Sequence, residues 1–142
     1  MTAAIAYDDV EVGTELPAQE FPVDRATLVQ YAGASGDFNP IHWNERFARE
    51  VGLPDVIAHG MFTMAVAIRV VTDWTVDPAA VEEYGVRFTR PVVVPDDGVG
   101  ATVHVSAKVA AKLDDHRVRV DLLATSQGQK VLGMSRAVVR LA

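Results

Sequence analysis

The stretch Tyr31-Ala-Gly-Ala-Ser-Gly-Asp-Phe-Asn-Pro-Ile-His42 sets a carboxylate, Asp37, and an imidazole, His42, on backbone that is not regular helix. Gly33, Gly36 and Pro40 interrupt it, and Pro40 biases Asn39 toward an extended conformation. Loops of this kind are where positioned chemical groups are commonly found. Five residues reach about 17 Å when extended, so a turn must bring the two side chains together, and Asn39-Pro40 is good turn material. Near neutral pH an ionised carboxylate and a neutral imidazole both accept hydrogen bonds from one water molecule. Addition of water to a conjugated thioester needs such a pair, because one proton leaves the water and another reaches C2. The same reaction builds negative charge on the thioester oxygen, which calls for a backbone N–H donor at a helix N-terminus. His59-Gly60 offers that terminus, and Gly60 has no side chain to hold a carbonyl away from its amide.

Plainer readings of the same residues stand beside this one. Gly-Asp-x-Asn-Pro also describes a turn in which Asp37 and Asn39 bond their own backbone. His42 taken alone fits a satisfied buried histidine, and His59 fits a structural role fixing the loop before the helix. His104 falls on the polar face of a strand and His116 in a turn, so neither is expected at a site. His42, His59 and a carboxylate lack the ligand spacing of a metal centre, and no metal or other cofactor is expected. No glycine-rich loop runs into Lys-Ser/Thr, and no Gly-x-Ser-x-Gly elbow is present, so nucleotide-phosphate binding and serine hydrolysis are unsupported. The chain has no cysteine, which excludes disulfides, zinc–thiolate sites, iron–sulfur clusters and a cysteine nucleophile. That absence fits a reducing cytoplasm, the location expected here.

The elements that must position these residues change character along the 142-residue chain, which is long enough for one domain spanning residues 1–142. Asp24 fits the N-cap of a short helix through about Tyr31, ended by Gly33, and Asn44 the cap of a second, Glu45 to Val51. From Gly60 to about Trp74 the only polar positions are Thr63, Arg69, Thr72 and Asp73. A helix so apolar around its circumference is wrapped by other structure. From Val81 onward strands follow: Tyr84 to Val94 interrupted by Pro91, then the alternation of Val103, Val105, Ala107 and Val109 with polar neighbours, then Arg117 to Thr125 and Lys130 to Leu141. Short elements, one long buried helix and a run of antiparallel strands define an α+β class, most simply a curved sheet around a single helix. Nothing N-terminal resembles a secretory signal, no apolar run approaches membrane-spanning length, and no membrane insertion is expected. With a net charge of −6 and no basic stripe, nucleic acid is not an expected partner, and an anionic coenzyme must be bound by a few placed groups.

Tyr31 to Ala48, Ile57-Ala-His-Gly-Met61 and Val86-Arg-Phe-Thr-Arg-Pro-Val92 together resemble, in the right order, the signatures of MaoC-like (R)-specific enoyl-thioester hydratases. Asn39-Pro-Ile-His-Trp43, Ala58-His-Gly-Met61 and Val94-Pro-Asp-Asp-Gly98 point within that family toward mycobacterial (3R)-hydroxyacyl-carrier-protein dehydratases, whose catalytic subunit works with a non-catalytic one. The resemblance implies a hotdog fold and hydration or dehydration of acyl thioesters of coenzyme A or acyl carrier protein. It implies catalytic roles for Asp37 and His42, an oxyanion role for the Gly60 amide, and supporting roles for Asn39 and His59. It also implies pairing of subunits, as a homodimer first and a heterodimer with a second hotdog subunit next. Some family members carry a serine on the central helix that supports the carboxylate; the matching position falls near Ile68, with Thr63 or Thr72 as the nearest hydroxyls. The rival functions are a hotdog thioesterase, recognised by a free acid and thiol as products, and a non-catalytic acyl-binding subunit, which has no need for the pair.

Overall fold

A computed structural model describes residues 4–142 of the chain. Its framework is an antiparallel sheet: β1 (Glu15–Val23), β2 (Val81–Phe88), β3 (Ala101–Lys112), β4 (Arg117–Ser126), β5 (Gln129–Lys130) and β6 (Leu132–Arg140). The strands lie in the order β1-β3-β4-β6-β2, with the short β5 closing a turn against β4. The alternation read in β3 is real: Val103, Val105, Ala107 and Val109 are buried, while His104, Ser106 and Lys108 are exposed. Val118, Val120, Leu122 and Ala124 of β4 and Ala137 and Val139 of β6 extend the same inner face. Against that face pack the helices, and Leu28, Val70 and Val71 complete one hydrophobic core. The α+β class and the hotdog layout hold.

Several boundaries differ from expectation, each for a visible reason. β1 was not expected, since Pro17 and Pro22 punctuate it; it is an edge strand paired only with β3, where proline is tolerated. Helix α1 runs Arg25–Ser35, past Gly33, and ends at Gly36, whose φ of 75° supplies the left-handed cap. Its N-cap is Asp24, as expected, accepting from the Thr27 amide. Asn44 likewise caps α2, Glu45–Glu50. The stretch expected as one strand to Val94 leaves the sheet at Phe88, and Val93 forms only an isolated bridge with Ile57.

The apolar central segment is two helices, α3 (Gly60–Ala67) and α4 (Arg69–Thr75), meeting at Ile68. The Tyr84 hydroxyl explains the joint. It donates to the Met64 carbonyl at 2.8 Å, and the Ile68 amide reaches that same carbonyl only at 3.4 Å. A side chain that draws a carbonyl out of the ladder loosens the turn that follows. Burial pushes the Tyr84 phenol up to about 12, so it remains a donor. Beyond the joint, α4 packs on β1 and β3. No helix among the described residues is long and apolar enough to cross a membrane.

Candidate active site

The loop between α1 and α2 holds the pair by local bonds that its sequence makes available. Gly36 turns the chain, and the Asp37 amide donates to Ser35 Oγ at 3.2 Å. Asp37 Oδ1 then accepts the Asn39 amide at 3.1 Å, and Asn39 Oδ1 accepts the Ile41 amide at 3.3 Å. These are the turn contacts of the plainer reading, and Asn39 spends its side chain capping the single turn Pro40–His42. The Trp43 indole bridges the loop by donating to the Phe38 carbonyl at 3.0 Å. What the turn leaves free is Asp37 Oδ2, which lies 3.9 Å from His42 Nε2.

His42 is oriented from behind. Its Nδ1 donates to the Ile57 carbonyl at 2.8 Å, since a carbonyl only accepts. The neutral ring therefore carries its lone pair on Nε2, on the side of Asp37. Ile57 is itself fixed, its amide donating to Ile41 and its bridge to Val93 tying it to the segment after β2. Burial lowers the His42 pKa from its ordinary 6.5; the Ile57 bond opposes this, His59 adds to it, and Asp37 opposes it. At neutral pH the imidazole is an acceptor. Two acceptors 3.9 Å apart are spaced for one water donating a hydrogen to each, at ordinary bond lengths of about 2.8 Å.

His59 closes the back of the site. Its Nε2 donates to the Asp37 carbonyl at 3.1 Å, and its ring stacks on His42 with centroids 3.8 Å apart. Tyr31 also packs against it, tilted by 59° with centroids 4.7 Å apart. Asp37, His42 and His59 offer three ligand atoms within 4.8 Å of one another. The two rings, however, are only 21° from parallel, so their in-plane lone pairs do not converge on a point between them, and the set suits a metal poorly.

The N-terminus of α3 lies on the same pocket as His42. Gly60 is its first residue, so its amide has no acceptor within the helix. A Cβ there would come 3.1 Å from Phe88, whose half-exposed ring covers the glycine. The pocket, about 380 Å³, is also walled by Ile41, Thr63, Leu132 and Arg90. Thr63 is the buried hydroxyl on this wall, whereas Thr72 is half-buried on α4, does not line the pocket and bonds the Arg69 carbonyl. A larger depression, about 640 Å³, lies over the strands beside Lys108, Asp121 and Met134, and neither His42 nor Gly60 lines it. His104 pairs with Glu20, and His116 stacks on Tyr7. The structure gathers the residues that the sequence singled out and adds three others around them: the Ile57 carbonyl, for which a sequence carries no signal, and Tyr31 and Phe88, which stood inside the quoted motifs.

A scissor of sheet and short helices with this loop defines a hotdog protein, and residues 9–127 match the family described as the MaoC like domain. The chain belongs to that family. It is 43% identical over 79 residues to 3-hydroxyacyl-thioester dehydratase X of Mycobacterium tuberculosis, covering 56% of this chain and 27% of that protein. It is 32% identical over 138 residues to 3-hydroxybutyryl-CoA dehydratase of Methylorubrum extorquens, covering 95% of this chain and 83% of that one. Among solved structures, a MaoC-like dehydratase superposes with a TM-score of 0.94 at 39% identity, over 98% of this chain and 43% of the other. The chain therefore spans about a quarter of dehydratase X and under half of that solved chain.

Proposed function

We propose that the chain is a hydro-lyase interconverting trans-2-enoyl thioesters and (3R)-3-hydroxyacyl thioesters of fatty-acid metabolism, with Asp37 and His42 as the catalytic pair. The observation that carries this reading is the 3.9 Å gap between Asp37 Oδ2 and His42 Nε2, with His42 itself lining a pocket that also holds the N-terminus of α3. In the hydration direction the water oxygen bonds to C3 while the pair takes one of its protons. The electrons of the C2–C3 double bond move onto the thioester oxygen, where the Gly60 N–H and the helix terminus hold the charge. C2 then takes a proton, and the sum is one water added. Asn39 keeps the loop in shape, and His59 holds the Asp37 backbone and backs the His42 ring. The dehydratase activities for which both relatives are named support the reaction class.

The same reading takes residues 1–142 as one MaoC-like hotdog domain, supported by the single continuous core. It places the chain in the cytoplasm, which its cysteine-free composition favours. It also pairs the chain with a second hotdog subunit, a copy of itself before a different one. Strand β2 supports this, being bonded among the described residues to β6 alone, with its other edge unpaired there. The test is turnover of short and long trans-2-enoyl thioesters with the configuration of the product determined. A (3R)-3-hydroxyacyl thioester is expected. Free acid and thiol would make the chain a thioesterase, and no conversion of any thioester would end the enzymatic reading.

A further inference from the structure

Arg90 lies in the motif Val86-Arg-Phe-Thr-Arg-Pro-Val92, and the reaction gives it no task. It lines the same pocket as His42 and Gly60, and no other basic side chain except that histidine does. The residue is exposed, and among the described residues no carboxylate lies within salt-bridge distance of its guanidinium. Of the other arginines, Arg25, Arg46, Arg49, Arg119, Arg136 and Arg140 are engaged with carboxylates, while Arg69, Arg87 and Arg117 are not paired with one among the described residues, and none of those three lines this pocket. The backbone under Arg90 is firmly held. The Thr89 amide donates to the Val131 carbonyl at 3.2 Å, the Thr89 hydroxyl to the Lys130 carbonyl at 3.0 Å, and Pro91 follows.

We propose that Arg90 is a binding residue for the phosphate on the carrier arm of the thioester substrate. The inference rests on the thioester reading above. Both acyl coenzyme A and acyl carrier protein present the acyl group on an arm with the thioester at one end and phosphate at the other. With the thioester oxygen at the Gly60 amide, the arm must leave the pocket toward solvent, and the cation that meets it must stand exposed on the pocket wall. Arg90 meets that requirement. The net charge of −6 gives a polyanionic carrier no general attraction, so one free guanidinium at the pocket contributes far more than it would on a basic surface. A guanidinium also offers phosphate two parallel N–H donors, a geometry that lysine lacks.

The experiment compares trans-2-butenoyl thioesters of pantetheine, 4′-phosphopantetheine and coenzyme A, with the wild type, Arg90→Gln and Arg90→Lys. The readout is the ratio of kcat/KM for a phosphate-bearing thioester to that for the pantetheine thioester. Any misfolded fraction cancels from this ratio. In the wild type it should be about ten or more, carried by KM, and added salt should reduce it. Arg90→Gln should bring it close to one, and Arg90→Lys should restore part of it. A preference already present with phosphopantetheine assigns the contact to the phosphate that both carriers share. A preference found with coenzyme A alone places the contact at the nucleotide end and overturns the assignment to the arm's phosphate. A wild-type ratio near one, or a ratio unchanged in Arg90→Gln, overturns the proposal while leaving the hydratase reading intact. A wild type that converts none of the three thioesters overturns both.

Discussion

Asp37 divides its work between two oxygens, and that division makes its role testable. Oδ1 holds the turn through the Asn39 amide, while Oδ2 addresses His42. Asparagine keeps the first function and loses the charge of the second, so Asp37→Asn should melt near the wild type yet lose about a hundredfold or more in kcat/KM. His42→Ala should cost as much, and the double variant should be little worse than the worse single one if both act on one water. The lowered pKa of His42 fixes the pH profile. Hydration should be at full rate above the ordinary histidine value of 6.5 and fall on an acidic limb whose midpoint lies below it. The stability contributed by burying the neutral ring follows the same sign: present above 6.5, lost as pH falls through the depressed folded value. Gly60→Val should depress turnover severely with a modest change in Tm, because the half-exposed Phe88 ring is able to turn aside but a carbonyl approaching the amide is not. Equal losses of folding and activity would make Gly60 a packing residue. These residues were legible because a carboxylate and an imidazole carry chemistry and stand close together in a segment whose Gly and Pro residues break regular structure. The Ile57 carbonyl that sets the histidine tautomer was not, since every residue has one.

At the scale of elements, α1 gives a pair of substitutions with opposite signs. Gly33 lies inside the helix with open space around it, so Gly33→Ala should raise stability by about 0.5–1 kcal/mol. Gly36 has equal space but a φ of 75°, and Gly36→Ala should lower stability by about 1 kcal/mol. Paired thermal melts decide the matter, and a stabilising Gly36→Ala would contradict the cap. The second change should also slow turnover, as Asp37 is the next residue. Which glycine ends the helix was not readable from the chain, because both fit and only the backbone angle separates them. The caps Asp24 and Asn44 were readable, since their side chains satisfy amides three residues on. The joint at Ile68 was not, because its cause, the Tyr84 hydroxyl, arrives from a strand. β1 was hidden by Pro17 and Pro22, which mark an edge as well as a loop.

The whole molecule has two sheet edges of different character. Each edge strand has one neighbour among the described residues and an irregular register, with one shift in β1 and two in β2. But β1 carries Pro17 and Pro22, which cannot donate to an added strand, whereas β2 has no proline. Association should therefore use β2, and light scattering at micromolar concentration should find a species heavier than 15.3 kDa. A 15.3 kDa particle throughout would rule out self-association, and no heavier species with any hotdog partner would remove pairing from the functional reading. The general plan of helices before sheet was legible because the hydrophobic period changes once, near Val81; the strand order, set by distant contacts, was not. The indole of Trp43 bonded across the loop to Phe38 has a separate use. It is half exposed, one residue from His42, and the only other tryptophan is Trp74 on α4. The loop thus carries its own fluorophore, and a Trp74→Phe protein would report ligand arrival beside His42 as a change in emission, with neither label nor turnover.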